Sequence, residues 1–181
     1  MKKSLWRSVL PGLSPGTVLR SWLQEPASLT RRLQSSCKAF RVEVKTRGLQ
    51  PPLIETPDSG TARQQVLVRE VMLFCDSQPV IFARTEMSTA RRGRLALWLQ
   101  GLGSRSLGSL LFSYPRFVRG PIEYHCLDQR DPLYQRLARK ADEIPARLWA
   151  RRSRHQLGQQ SVLVTEVFLP AILDLEQPAK R

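Results

Sequence analysis

An α+β domain, with five or six antiparallel strands and helices inserted between them, is the fold class this sequence predicts. Three observations carry it. Several short runs alternate apolar and polar residues with the period of a strand, and two such runs flank the turn-forming stretch Asp76-Ser77-Gln78-Pro79. Segments between them space their apolar residues by three and four, as a helix does. The chain has 181 residues, 41% of them hydrophobic, which is enough for one core and predicts one domain over 1–181, with 1–15 and 173–181 as loose arms.

Taken in order, residues 16–36 predict a helix carrying Val18, Leu19, Trp22 and Leu23. Pro26 breaks it, and Ser28 caps a second short helix with Leu29 and Leu33. The run AFRVEVKTRG sets Phe40, Val42 and Val44 on one face and Arg41, Glu43 and Lys45 on the other, a half-buried antiparallel strand. Residues 50–64 hold three prolines and Asp58, Ser59 and Gly60, a loop. The runs QVLVREVMLFC and PVIFARTEMS form the hairpin, and 89–112 read as helical with a glycine-punctuated break at 101–108. GPIEYHCL is another strand. Asp131-Pro132 opens a helix through Leu137, and SRHQLGQQSVLVTEVFLP reads strand, Gly158 turn, strand, ended by Pro170.

Composition excludes several functions. No run of about 18 uncharged apolar residues exists, so no helix is expected to span a bilayer. Cys37, Cys75 and Cys126 are odd in number, far apart and outside any C-x-x-C pair, which excludes disulfide and metal chemistry and fits a reduced cytoplasm. His125 and His155 are expected at the surface or lining a cavity. The 29 Lys and Arg against 15 Asp and Glu give a net charge of +14, the sign expected of proteins that meet nucleic acid, anionic lipid or anionic metabolites. Arginines cluster at 91–94, 136–140 and 147–154. No nucleic-acid-binding signature accompanies them and aromatics are few, so these clusters are expected to be a solvated surface field.

Two charges stand where a strand should be apolar. Alternation sets Arg69 on one face with Leu67, Val71 and Leu73, and Glu166 on one face with Val162, Val164 and Phe168. The opposite faces are mostly apolar too, so both strands are covered on each side. An ion there costs several kcal/mol unless paired. Arg84, among Val80 and Phe82, is a third case. Arg69 and Glu166 either pair with each other, with one at a solvated edge as a variant, or form an anion pocket. In the second reading, the arginine fork grips a carboxylate and the walled carboxyl group handles a proton or a hydroxyl. The residues alone lead to a pocket for a small hydroxylated organic acid.

The runs VREVMLFCDSQPVIFARTEMS, LGSRSLGSLLF, LWARRSR and SVLVTEVFLPA, in that order over residues 65–172, together resemble bacterial chorismate pyruvate-lyase. EPASLTRRL matches more loosely. The resemblance implies a six-stranded antiparallel sheet with packed helices, a buried site under helical flaps, and no cofactor or metal. It implies conversion of chorismate to 4-hydroxybenzoate and pyruvate, the first committed step toward ubiquinone. A cytoplasmic monomer that binds chorismate and no nucleic acid is expected.

Carried over by residue, the family's ring-carboxylate arginine falls on Arg69 and its ring-hydroxyl glutamate on Glu166. A backbone contact falls at Leu107, and Arg84 lies near the departing enolpyruvyl side, where it balances charge on the ether oxygen. Better-known members carry a methionine in the first flap where this chain has Leu29, and 127–145 stands as an insertion relative to shorter members. Two alternatives belong to other classes: a non-catalytic effector-sensing domain of the same fold, and a basic nucleic-acid binder. The about 40 residues before the first strand are too short for the winged helix that such regulators carry.

Overall fold

In the computed structural model, residues 5–14, 16–53, 65–88, 97, 101–103, 105, 107 and 117–175 are described. The alternating runs become β1 (Phe40–Gln50), β2 (Val66–Cys75), β3 (Gln78–Ser88), β5 (Glu123–Asp128), β6 (Arg147–Leu157) and β7 (Gln160–Phe168), with a two-residue β4 (Val118–Arg119) in addition. They join in one antiparallel sheet of order β1-β2-β3-β7-β6-β4, with β5 also pairing with β6. The added β4 makes seven strands where six were expected. The helices are α1 (Val18–Leu23), α2 (Leu29–Ser36) and α3 (Pro132–Ala138), followed by a 3₁₀ turn at Pro170–Asp174. Most of the expected loop 50–64 and helix 89–112 lies outside the described residues. No described helix is long and apolar enough to cross a membrane.

Local chemistry sets the ends. Thr17 caps α1 and Ser28 caps α2, each hydroxyl accepting the backbone N–H three residues on. Asp76 and Ser77 both take positive φ, the two-residue turn that matches the twist of a hairpin. Gly158 does the same between β6 and β7 at φ +57°.

Helices cover both faces. On the front, Trp22, Leu23, Leu29 and Leu33 from α1 and α2 pack on Val71, Leu73, Ile81 and Phe168. On the back, Leu133, Tyr134 and Leu137 of α3 pack on Met72, Phe82, Leu148 and Val167. The expected insertion at 127–145 thus supplies part of the back layer. A third cluster at one end joins Leu67, Met87, Leu102, Leu107 and Val162.

Three expectations change here. The N-terminal arm is docked over residues 5–14: Arg7 and Tyr124 exchange backbone hydrogen bonds of 3.0 and 2.7 Å, and Leu10 joins the front core. At the other end, Ile172 is buried and Leu175 packs beside it, so 173–175 are also held. The exclusion of a disulfide fails as well. Cys37, the C-cap of α2, is bonded to Cys75 at the end of β2, with Cα atoms 5.5 Å apart. Their separation of 38 residues said nothing about space, and the packing of α2 on β2 closes it. Cys126 stays free.

The 147–154 cluster is no surface field either. It forms most of β6, an interior strand, where Arg151 and Arg152 are buried.

Candidate active site

The sheet register builds the site as two adjacent rows on its front face. One row reads Arg69, Thr85, Val164, Ser153 across β2, β3, β7 and β6. The next reads Val71, Ala83, Glu166, Arg151. All eight line one cavity, closed above by Leu29 and Thr30 of α2 and by Leu107, with Leu73, Arg119 and His155 completing the wall. Four of the five residues singled out from sequence, Leu29, Arg69, Leu107 and Glu166, therefore meet in one place.

Arg69 is 2% exposed. Its Nη2 donates to the carbonyls of Gly103 (2.9 Å) and Arg105 (2.8 Å). Its buried Nε–H has no hydrogen-bond partner among the described residues. Burial, with Arg47 nearby, pushes its pKa down to about 10, so it remains a cation at neutral pH. A buried cation whose hydrogen-bond partners among the described residues are neutral carbonyls favours an anion beside it.

Arg69 and Glu166 do not pair with each other. Glu166 faces Arg151 across the β6–β7 ladder and accepts from its Nε at 2.7 Å. The Nη1 of Arg151 also donates to the carbonyls of Leu23 (3.2 Å) and Glu25 (2.7 Å), just past the C-terminus of α1, where a cation is favoured. Arg119 holds the same connector through Pro26 O (2.8 Å), and its Nε donates to Ser153 Oγ (3.1 Å). The stretch between α1 and α2 is thus fixed to the sheet by two arginines of the cavity wall. His155 completes this end, its Nε2 3.1 Å from Ser153 Oγ. Burial and the neighbouring Arg119 lower its pKa to about 4, so it is neutral at pH 7.

Arg84 is the exception, and its assignment to the departing side of the substrate is corrected. It projects from the back face, 1% exposed, where Nη1 donates to Glu70 (2.5 Å) and Nε to Glu86 (2.6 Å). Arg136 Nε (2.8 Å) and Lys140 Nζ (3.2 Å) of the α3 region also reach Glu70. Burial alone would raise the pKa of Glu70, but hydrogen bonds from Arg136, Thr46 and Arg84 outweigh it and hold the carboxyl below its ordinary range. Arg84 belongs to a buried ionic cluster.

Arg119 lies in FVRG, outside every run that the sequence reading singled out, and Arg151 escaped it because RLWARRSR reads as a basic surface run. Its alternation held the signal, since Arg151, Ser153 and His155 share one face of a strand.

The comparisons with known proteins now bear on this geometry. A family model described as chorismate lyase matches residues 1–177. The chain belongs to the chorismate lyase family. A relative in Dechloromonas aromatica, named "Probable chorismate pyruvate-lyase", is 55% identical over 173 residues, covering 95% of this chain and 98% of that one. Relatives with the same name in Aromatoleum aromaticum (43% identical, 87% of each chain) and Ralstonia nicotianae (40%, 97% of this chain and 94% of the other) match across nearly the same span. Among solved structures, the C-terminal domain of a histidine utilization repressor from Pseudomonas syringae superposes with a TM-score of 0.50 at 10% identity. It covers 79% of this chain and all of that one. The chorismate lyase fold is thus shared with a domain of a transcriptional repressor, a likeness of fold alone.

Proposed function

We propose that this protein converts chorismate to 4-hydroxybenzoate and pyruvate in the cavity between α2 and the sheet. The observation that carries the reading is the presence of a buried Arg69 and an acceptor, Glu166, in adjacent rows of one cavity wall that also carries Val71, Ala83 and Val164. Arg69 receives the ring carboxylate. Glu166, oriented by Arg151, accepts a hydrogen bond from the ring hydroxyl. Leu29, Leu107, Val71 and Val164 enclose the ring and keep water from these bonds, which strengthens them.

In the reaction the ether carbon–oxygen bond of the ring breaks. The neighbouring ring carbon loses its hydrogen, which ends on the methylene carbon of the departing enolpyruvate to give pyruvate, and the ring becomes aromatic. Atoms and electrons balance without an added oxidant or reductant. The thermodynamic drive lies in the substrate, so the residues here act by orientation and by placing charge where it is needed.

The test is to incubate the purified protein with chorismate in EDTA and follow both products. Equimolar 4-hydroxybenzoate and pyruvate are expected. Ligand binding with no turnover would favour a sensing role, and activity lost to EDTA and restored by a divalent cation would overturn the account of the chemistry.

A further inference from the structure

The cover of the cavity is bonded covalently to the sheet, and the proposed chemistry has no use for that bond. α2 carries Leu29 and Thr30 over the cavity in its first turn, and its C-cap, Cys37, is joined to Cys75. Cys75 belongs to the strand that supplies Arg69, Val71 and Leu73 to the cavity wall. These four alternate along β2 and share one face of the sheet. A helix of eight residues is about 12 Å long. One end of α2 therefore roofs the ligand space, and the other is fastened to the same face of the strand beneath it.

The bond sits at a hinge. Just after Cys37 the chain already belongs to the sheet: Asp76 N–H donates to the Ala39 carbonyl (2.9 Å), Ala39 N–H donates to Asp76 Oδ1 (2.8 Å), and Phe40 opens β1 opposite Cys75. Before it, the described anchors of α2 are non-covalent. Arg32 donates to the carbonyl (2.8 Å) and the hydroxyl (2.9 Å) of Ser21 and lies 3.8 Å over the Trp22 ring, which ties α2 to α1. Leu29 and Leu33 pack in the front core. Lifting Leu29 and Thr30 off the cavity turns α2 about residues 37–39, where the disulfide holds it.

We propose that Cys37 and Cys75 form a thiol–disulfide switch on this cover: oxidised, the pair holds α2 over the cavity and slows ligand exchange; reduced, it frees α2 to open. The ligand part of this rests on the reading of the cavity given above. Cys37 is half-buried and Cys75 is 2% exposed, so an external dithiol meets the Cys37 sulfur first. Its thiolate attacks there, the S–S bond breaks, and Cys75 leaves as a thiolate that takes up a proton. The second thiolate of the reagent then attacks its own bound sulfur and expels Cys37, which is protonated in turn. Two electrons and two protons pass to the protein, and the dithiol becomes a cyclic disulfide. The Leu33 carbonyl lies 2.9 Å from Cys37 Sγ and 3.7 Å from Cys75 Sγ, an acceptor for the thiols once they form. Reduction therefore loosens this end of α2 without stranding a polar group, and the step is reversible.

The experiment measures hydrogen–deuterium exchange of residues 29–36 in the ligand-free protein and the stopped-flow dissociation rate of 4-hydroxybenzoate. Both are taken on oxidised wild type, on wild type reduced with dithiothreitol, and on Cys37→Ser and Cys126→Ser, with thiols titrated in each sample. Reduction should speed exchange and dissociation by about 10-fold, which is about 1.4 kcal/mol in the opening equilibrium. Cys37→Ser should match the reduced wild type and ignore the dithiol, whereas Cys126→Ser should respond as the wild type does. Equal rates in oxidised and reduced wild type overturn the proposal, as does a protein that keeps three free thiols after oxidation, and neither result depends on a variant folding. Faster exchange in α2 on reduction, in a protein that does not bind 4-hydroxybenzoate, would support the switch and overturn the chorismate reading alone.

Discussion

Arg151 stands directly opposite Glu166 in the β6–β7 ladder, and the 2.7 Å bond between their side chains makes Arg151 the counter-charge of the acceptor carboxylate. Arg69, two strands away from β7, donates instead to the carbonyls of Gly103 and Arg105 and is the proposed anchor of the ring carboxylate. Arg151→Met should lower stability toward the low end of the about 3–5 kcal/mol seen for broken buried pairs, since Glu166 keeps 18% of its side chain exposed. Turnover should fall with it. Arg151→Met combined with Glu166→Gln should regain much of the stability and none of the activity. Equal activity in the single variant and the wild type would remove Arg151 from the site.

Arg69→Ala should fold and lose about 2–5 kcal/mol of 4-hydroxybenzoate affinity, or roughly 30-fold to several thousand-fold. Arg69→Lys should recover part, because an ammonium keeps the charge without the planar fork. Arg139→Ala, at an exposed position just past α3, is the charge-matched control. Arg136 is unsuited to that purpose because its Nε donates to Glu70. Isothermal titration decides: affinities for Arg69→Ala and Arg139→Ala that coincide would make Arg69 structural.

Arg84→Ala should behave in the opposite way. It removes a cation from between two buried carboxylates, so a stability loss of about 3–5 kcal/mol is expected by denaturant titration. Folded protein at low temperature should still bind 4-hydroxybenzoate. A full-strength fold with lost binding would return Arg84 to the reacting centre.

The depressed pKa of His155 makes stability pH-dependent. Its value falls from an ordinary 6.5 to about 4 in the folded state, so between these limits the unfolded chain holds a proton that the native protein lacks. Stability should therefore decline as pH drops through that window, by at most about 3 kcal/mol at 1.36 kcal/mol per unit. His155→Gln should flatten that part of the curve. An unchanged slope in the variant would assign the acid sensitivity elsewhere.

Thiol counting checks the Cys37–Cys75 bond. Unfolded without reductant, the protein should titrate one thiol, Cys126; after reduction it should titrate three. Three thiols before reduction would show Cys37 and Cys75 to be free.

Alternation within single strands was enough to place Arg69 with Val71 and Leu73, and Glu166 with Val164, because side-chain direction in a strand is a local property of period two. Caps and turns were local as well, as Ser28 and Asp76-Ser77 show. The partner of Glu166 was not, since it depends on which strand lies beside β7, and that is β6, which carries Arg151. Arg84 shows how little it takes to reverse an assignment. The hairpin starts with Cys75 opposite Gln78 and Phe74 opposite Pro79, a register that would bring Arg84 across from Arg69. One extra residue in β3, at the irregularity beside Pro79, shifts the pairing so that Leu73 meets Ile81, Arg69 meets Thr85 and Arg84 meets Glu70. A one-residue slip turns a side chain to the other face of the sheet. The charges of the pocket were written in the strands, while their pairing was decided by strand order and one bulge, which exist only once the sheet is assembled.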